Sequence, residues 1–375
     1  MKTSLEYELR FVTGGADLEA LFRLWYQVCV VEMGRYQAVA EHTHQRLVVD
    51  GAGGGVLIGA FGHDGEAVAS LRLRSGKHGP IPDEYQTFYD LPRFADLITP
   101  EQVCMLDRTM IAPEYRSSLL PLHIFFEAIK YGRQQELLVA FGNCEPHLLN
   151  HYYRLGLRNH APAFFLPSFG YLFPLMLISG DVERQWRVRS PLLAHTAWNT
   201  ESTELGLALA RRADAGAVVV SEFLTGDDDP RWQQVTAWCR ALHTGERSLF
   251  EGISEAELRQ CLYRAHLMQC RRGDQLITRG AAFNRTLFLV MSGVVEVRRP
   301  ERAPIPLAPG AVFGELGLLM QTARTADVVA ASDDVQVLAL SEGTLRPLLD
   351  GTSALTARLL RNLARILGAR LMDAQ

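Results

Sequence analysis

Phe313-Gly-Glu-Leu-Gly-Leu-Leu-Met-Gln-Thr-Ala-Arg-Thr-Ala326 is the stretch on which the reading of this 375-residue chain turns. A Gly-Glu pair precedes a short apolar run, and an Arg stands nine residues after the Glu. Gly314 permits a tight turn and close backbone approach. Leu316 to Met320 suits one helical turn, whose free N–H groups can face an anion. Arg324 is a permanent cation with a forked donor set that matches phosphate oxygens. Glu315 is an acceptor for sugar hydroxyls. A phosphate and a hydroxyl held close together describe a ribose phosphate. The plain alternative is a Glu–Arg ion pair buried in a β-barrel.

Working outward, the stretch resembles the phosphate-binding cassette of cyclic-nucleotide-binding domains, usually Phe-Gly-Glu-x-Ala-Leu-Leu followed by Pro-Arg-x-Ala. Upstream, Arg272-Gly-Asp-Gln-Leu-Ile-Thr-Arg-Gly280 is similar to that family's early strand and turn. Leu287-Phe-Leu-Val-Met-Ser-Gly-Val-Val-Glu-Val297 is similar to its central hairpin. The resemblance covers about residues 246–375. Ala323 replaces the usual Pro and Gly317 the usual Ala; both changes are expected to loosen the loop without removing a ligand contact. The resemblance implies cAMP or cGMP as a regulatory ligand, held by Gly314, Glu315, Leu316, Gly317, Arg324 and Thr325. The Thr325 hydroxyl can serve the phosphate or a guanine, which leaves the base open, with cAMP the first expectation.

The surrounding pattern agrees with a β-roll. Ser254 to Glu257 forms a capping box ahead of a helix. Short β segments follow through Leu340, with turns at Gly273, Gly280, Gly293 and Gly310. Ser341 to Leu349 and Thr356 to Met372 read as helices, the second amphipathic through Leu359, Leu360, Leu363, Ile366, Leu367 and Leu371. In the resembled family this last helix moves when ligand binds; here it is also a candidate homodimer seam. No helix-turn-helix follows, so the sensor is expected to regulate the first half of the chain.

Composition is that of a globular chain, 48% hydrophobic and 21% charged. A net charge of −4 argues against bulk nucleic-acid binding. Cys29, Cys104, Cys144, Cys239, Cys261 and Cys270 lie far apart with no Cys-x-x-Cys pair, so neither a zinc site nor a disulfide framework is indicated, and no metal is expected. A reducing cytoplasm fits. No apolar signal core and no apolar run of spanning length is present, so no transmembrane span is expected.

The first half reads as α/β. Leu5 to Phe11 is a strand, and Asp17 is expected to cap an amphipathic helix over Leu18 to Val31. Val56 to Gly62 and Ala67 to Leu73 are strands around Gly62-His-Asp-Gly65. His78 to Pro100 is a long connection of the kind that often carries function. Strands at Val103 to Ile111 and Leu137 to Phe141 flank a helix over Pro121 to Gln135. A further helix, His147 to Arg154, is stopped by Gly156.

Leu106-Asp-Arg-Thr-Met-Ile-Ala-Pro-Glu-Tyr-Arg116 resembles the central strand and exit turn of the GNAT acyltransferase fold. Asn150-His-Tyr-Tyr-Arg-Leu-Gly-Leu-Arg158 resembles that family's Tyr-x-x-x-Gly-Phe helix end. The first helix, Leu21 to Glu32, is similar to the opening of long-chain N-acyl amino acid synthases and acyl-homoserine-lactone synthases, which take acyl groups from acyl carrier protein. The departures bear on the donor. Where acyl-CoA enzymes of this fold carry a Gly-rich pyrophosphate cradle, this chain has Arg116-Ser-Ser-Leu-Leu-Pro121, and Pro121 has no N–H to offer. A phosphopantetheine arm asks less of such a loop, so the expected donor is acyl carrier protein rather than acyl-CoA, with Arg116, Ser117 and Ser118 as donor-binding residues. The carrier-dependent branch often reads Glu-x-Ser-Arg on its central strand. Here Met105-Leu-Asp-Arg108 keeps the Arg and moves the acid to Asp107, which shares a strand face with position 105. Trp25 stands where the branch often has Arg.

Aminolysis of a thioester must deprotonate an amine, stabilise an oxyanion and protonate a leaving thiolate. The base candidates are Asp107 and Glu32, directly or through water. Backbone around Thr109 to Ile111 is the candidate oxyanion site. Tyr152, four residues before Gly156, matches the resembled family's thiolate-protonating Tyr. Arg108 completes the catalytic set. Each has a structural alternative: an Asp107–Arg108 ion pair, a solvated Glu32, a core Tyr152, and an Arg116 that only closes a turn. Cys104 and Cys144 are read as buried and inert. Ala163 to Ile178, dense in Phe and Leu, is a core strand pair or the wall of an acyl tunnel.

The expected architecture is α+β. A GNAT-like mixed sheet with flanking helices fills 1–180, a mostly helical connector 181–245, and a β-roll cyclic-nucleotide-binding domain with a C-terminal helix 246–375. In the connector, Glu204 to Ala213 and Trp232 to His243 are helical, Pro191 to Thr203 irregular, Ala217 to Phe223 a short strand, and Asp227-Asp-Asp-Pro230 a solvated turn. The expected activity is N-acyl transfer to an amine such as an amino acid under cyclic-nucleotide control. The alternatives are a cyclic-nucleotide-controlled acetyl-CoA-dependent lysine acetyltransferase and a non-catalytic sensor.

Overall fold

The computed structural model describes residues 6–48, 54–145, 148–161, 163–166, 169–196, 202–216, 230–241, 248–262, 265–280, 286–320, 322–340 and 342–373. The chain divides into two compact units. The first is Met1–Cys144 with His151–Ala163 and Phe173–Ala217; the second is Glu145–Asn150 with Phe164–Leu172 and Val218–Gln375.

The strands of the first half are β1 (Glu8–Val12), β2 (Val56–Phe61), β3 (Ala67–Ser75), β4 (Val103–Ile111), β5 (Val139–Cys144), β6 (Arg158–Asn159), β7 (Phe164–Leu166) and β8 (Gly170–Ile178). They form one mixed sheet in the order β1-β2-β3-β4-β5-β8-β6, and β7 folds back on the start of β8. Every pairing is antiparallel except β4 with β5. The β2–β3 hairpin closes where expected, with Gly65 at φ 80° and Gly62 N–H donating to Glu66 O.

The first helix, α1 (Gly15–Trp25), continues as a π-helical turn over Tyr26–Glu32. It starts earlier than its polar pattern suggests. Gly14 takes the cap position without a side-chain bond, and Asp17 lies inside the first turn. There its carboxylate still complements the free N–H groups, but it is not the cap. The long connection after β3 is ordered rather than loose. It contains α2 (Asp83–Phe88) and sends Ile81, Tyr89, Phe94 and Ile98 into a core with Met105 and Phe141. Helix α3 (Leu120–Gln134) buries Leu120, Ile124, Phe125 and Ala128, the positions its 3.6-residue period selects. Then come α4 (Leu149–Arg154), α5 (Val182–Arg187), α6 (Leu193–Thr196) and α7 (Glu204–Gly216). Helix α6 makes one turn in a segment that reads as irregular. Buried Arg158 pairs with Asp181 and with Asp214 of α7. The apolar run 217–223 and the acids 227–229 fall outside the described residues.

The second unit begins its described helices with α8 (Pro230–Ala241) and α9 (Glu255–Leu262). Ser254 and Glu257 make the reciprocal capping box in front of α9. Eight strands follow: β9 (His266–Cys270), β10 (Gln275–Ile277), β11 (Leu287–Ser292), β12 (Val295–Arg298), β13 (Ile305–Leu307), β14 (Val312–Phe313), β15 (Asp327–Ala330) and β16 (Val335–Leu340). They make two four-stranded antiparallel sheets, β10-β15-β12-β13 and β14-β11-β16-β9, the β-roll. Helix α10 (Glu315–Met320) leaves β14, and α11 (Glu342–Leu349) and α12 (Ala354–Asp373) close the unit. Leu355, Leu359, Leu363 and Ile366 of α12 share one apolar cluster with Leu262, Leu338 and, from α10, Leu318. Buried Asn362 donates to Leu249 O and Glu251 O, which fixes the middle of α12. Among the described residues no helix is long and apolar enough to cross a membrane.

Candidate functional site

In the second unit, Gly314 takes φ 83° between β14 and α10. A Cβ there would sit 2.7 Å from Thr286 O and 2.8 Å from Arg324 Nη1, so only glycine allows this turn. Phe313 anchors it, stacked on Phe288 at 5.0 Å between centroids. The turn opens onto a concave pocket with about 440 Å3 of empty space. Gly314, Glu315, Leu316, Gly317, Arg324 and Thr325 all line it, so the six residues singled out in the sequence converge on one cavity. Ile277, Val297, Arg299, Val328 and Arg370 complete most of its wall.

Two features of the pocket were not legible in the motif. Arg324 is 5% exposed and donates only to carbonyls, to Gly314 O at 2.6 Å and Thr286 O at 2.7 Å. Its Nε is buried without a hydrogen-bond partner. Burial lowers its pKa to about 10, a shift that nearby Glu315 partly opposes. A guanidinium so placed is a desolvated cation that forms no ion pair with a carboxylate among the described residues, and an anion would compensate it. Second, Glu315 is engaged by α12. Arg370 Nη1 donates to Glu315 Oε1 at 2.6 Å, and Arg370 Nη2 donates to Val312 O. The replacement of Ala by Gly at 317 has a packing reason: a Cβ there would lie 2.9 Å from Arg324 Nη1.

In the first unit, β4 and β5 pair only from Val103–Val139 to Met105–Phe141. From Leu106 onward the β5 edge of β4 has no strand paired to it among the described residues, while its other edge stays on β3. The β3–β4 ladder is irregular between Ser70 and Arg72, and opposite this point Arg108 takes φ 51°. Ser70 Oγ donates to Arg108 O at 2.7 Å and accepts from Trp25 Nε1 at 2.9 Å. The Arg108 guanidinium lies 5.5 Å from the Trp25 ring and 5.9 Å from the Tyr36 ring. Trp25 thus supports the strand distortion at Arg108.

Asp107 faces Arg72, not Arg108. Arg72 Nε and Nη2 donate to its two oxygens at 2.6 and 2.9 Å, and Tyr85 OH donates at 3.0 Å. Burial, with Asp107 beside it, pushes the Tyr85 phenol up to about 12. Glu32 is bound bidentately by Arg116 at 2.5 Å on each oxygen, and Arg116 Nε donates to Ile111 O. Ser118 Oγ donates to Tyr115 O and accepts from Leu120 N–H, while Ser117 is exposed on the same turn. Tyr152 packs against Phe125, and burial raises its pKa. The structure therefore joins Glu32 with Arg116 across the turn after β4, and separately gathers Asp107, Arg72 and Tyr85. The sequence offered no signal for Arg72, one of two Arg in β3, and only the length of its connection for Tyr85. A small, mostly apolar cavity lies between α3 and the sheet, lined among others by Leu73, Leu106, Phe125, Ile129, Leu137 and Leu177. Of the Ala163–Ile178 run, Leu177 lines it. All six cysteines are buried, and the described residues contain no cluster of metal-ligating side chains.

The β-roll with this cavity defines the class of the second unit. Residues 267–352 match the family model described as cyclic nucleotide-binding domain, so the C-terminal part of the chain is a cyclic-nucleotide-binding domain. No curated protein matches the chain in sequence. Among solved structures, it is similar to the catabolite activator protein of Thermus thermophilus at 29% identity, over 34% of this chain and 59% of that one, with a TM-score of 0.29. The chain thus spans less than two thirds of that protein's length. It is similar to a cyclic nucleotide-binding domain from Methylobacillus flagellatus at 24% identity, over 38% of this chain and 80% of that one, with a TM-score of 0.33. It is also similar to FeeM, an N-acyl amino acid synthase from uncultured soil microbes, at 11% identity, over 52% of this chain and 99% of that one, with a TM-score of 0.40.

Proposed function

We propose that the chain is an N-acyltransferase controlled by a cyclic nucleotide, with 1–180 as its catalytic domain, 181–245 as a connector and 246–375 as its sensor. The observation that carries the sensor reading is Arg324, a buried cation bonded to carbonyls and in no ion pair among the described residues, beside a glycine turn and Glu315. The cyclic phosphate takes Arg324 and the cassette backbone, and the ribose hydroxyl takes Glu315 once Arg370 has left it. The observation that supports acyl transfer is the parting of β4 from β5 after Met105, with Leu106 lining an apolar cavity beside it.

In that reading a thioester lies along the free edge of β4 and its acyl chain enters the cavity. The acceptor amine attacks the carbonyl carbon, a C–N bond forms and the C–S bond breaks. Tyr152, whose raised pKa keeps it protonated, returns a proton to the leaving thiolate. The amine proton goes to water or to Asp107, whose position Arg72 and Tyr85 hold fixed. Arg116 meets the donor phosphate by exchanging Glu32 for it. The donor is the phosphopantetheine thioester of an acyl carrier protein and the acceptor a small amine such as an amino acid, in the cytoplasm.

One observation favours a second reading, a sensor without turnover: both candidate bases, Asp107 and Glu32, are already bidentate partners of Arg. A free-thiol assay separates the two, with acyl carrier protein and acyl-CoA donors of short and long chain against mixed amino acids or a lysine peptide, with and without nucleotide. Release from long-chain carrier donors that changes with nucleotide is the expected result. No thiol from any donor leaves the sensor reading, and release from acetyl-CoA with a lysine peptide acceptor points to an acetyltransferase.

A further inference from the structure

The wall of the nucleotide pocket away from the cassette carries an arginine with no role so far. Strand β12 alternates. Glu296 and Arg298 share one face and pair with each other at 2.9 Å. Val295 and Val297 share the other face; Val295 is buried and Val297 lines the pocket. Arg299 continues that inward face into the β12–β13 turn and also lines the pocket. The β12–β15 ladder pairs Val297 with Val328 and Arg298 with Asp327, so Arg299 stands across from Ala326, next to Thr325. Its guanidinium forms no ion pair among the described residues, and it is exposed at the cavity mouth. The other two arginines of the pocket are committed, Arg324 to backbone carbonyls and Arg370 to Glu315.

We propose that Arg299 is a base-reading residue and makes this pocket selective for a 6-oxopurine, so that its ligand is cGMP rather than cAMP. The inference rests on the reading of the pocket as a cyclic-nucleotide site. Guanine presents O6 and N7, two acceptors spaced for the two parallel donors of a guanidinium. Adenine presents N7 beside the N6 amino group, a donor that opposes the second N–H. An arginine at the mouth therefore adds a bidentate contact to one base and a donor–donor conflict to the other. The fork of Arg299 has no carboxylate competing for it, unlike that of Arg370.

Calorimetry on the full chain with cGMP, cIMP and cAMP tests this. Cyclic IMP keeps O6 and N7 but lacks the 2-amino group, so it isolates the edge that Arg299 reads. Cyclic GMP and cIMP are expected to bind about tenfold more tightly than cAMP. Arg299→Ala is expected to remove that difference by weakening cGMP and cIMP without weakening cAMP, and to leave the melting temperature of the unliganded chain unchanged. Binding of cAMP at least as tight as that of cGMP in the unmodified chain overturns the proposal. Equal weakening of all three ligands by Arg299→Ala also overturns it and makes Arg299 a phosphate contact. Preference for cGMP over both others would assign the selectivity to the 2-amino group instead. If no cyclic nucleotide binds, the pocket reading itself fails and the proposal with it.

Discussion

Arg370 Nη1 on α12 donates to Glu315 Oε1 on α10 at 2.6 Å, so the carboxylate proposed to hold the ribose is already held by the last helix. In the proposed function, ligand and helix compete for one side chain. Arg370→Ala should therefore tighten cyclic-nucleotide binding. The pair is partly exposed on the Arg side, so its worth is roughly 1 kcal/mol, or about fivefold in Kd. Titration calorimetry reads this directly. A weaker affinity in the variant would mean that Arg370 touches the ligand instead of competing with it.

Arg324→Ala removes the cation proposed to meet the phosphate. Nucleotide binding should weaken by about 1.5–3 kcal/mol, the usual worth of a charge-assisted hydrogen bond. Nucleotide is expected to raise the melting temperature of the unmodified chain, and that rise should vanish in the variant. Unchanged affinity would place the phosphate elsewhere.

Gly317→Ala tests why this cassette lacks its usual alanine. The new Cβ would meet Arg324 at 2.9 Å from Nη1 and 3.3 Å from Cδ, the outer part of a movable side chain. Arg324 should swing away from the Gly314 and Thr286 carbonyls toward the cavity. Helix propensity favours the change by about 0.5–1 kcal/mol. The expected outcome is tighter nucleotide binding with an unchanged or higher melting temperature. Loss of both would show that the carbonyl-bound position of Arg324 is required.

In the first unit, His160 is fully buried, donating from Nε2 to Tyr89 O at 3.0 Å, and burial lowers its pKa to about 3. The unfolded chain binds this proton near pH 6.5, so between that value and about 3 the unfolded state holds more protons than the folded one. Stability of this unit should then fall as pH drops through that window. Urea midpoints at pH 7 and pH 5 measure the slope, and His160→Gln should flatten it. An equal slope in the variant would assign the acid sensitivity to other groups.

For the proposed chemistry, Asp107→Asn should lower thiol release by at least roughly tenfold, within the range of lost acid–base assistance. It also leaves Arg72, 3% exposed, without the carboxylate that binds both arms of its fork, so the melting temperature should drop as well. Tyr85→Phe keeps that ion pair and separates the effects. Wild-type turnover in Asp107→Asn at a temperature where it is folded would remove Asp107 from the mechanism.

The β-roll was legible because its determinants are local: Gly314 needs a positive φ, the strands are short, and Ser254-x-x-Glu257 makes its own cap. Six pocket residues came from one contiguous stretch, so the motif named them together. Arg370 and Arg299 lie far from that stretch in sequence, and no spacing rule reveals a contact between positions 315 and 370. The first unit was harder to read for the same reason. Its sheet brings Arg72 beside Asp107 and the turn after β4 brings Arg116 to Glu32, pairings set by strand register and helix placement. Asp17 misled because an acid at a cap and an acid in the first turn give the same pattern; Gly14 and Gly15, with φ of 154° and 67°, set the true start.

Asn362 gives α12 a pivot. Its buried amide, with Arg358 on Glu257 and Arg365 on Glu251, clamps the middle of the helix to α9 and the segment before it. Arg370 lies eight residues further on, about 12 Å along the axis at 1.5 Å per residue. A helix clamped at its middle and tied at one end responds to loss of the tie as a lever, swinging its free arm without sliding. The stroke is then set by arm length and not by the size of the ligand, so any molecule that displaces Arg370 from Glu315 would deliver the same mechanical output.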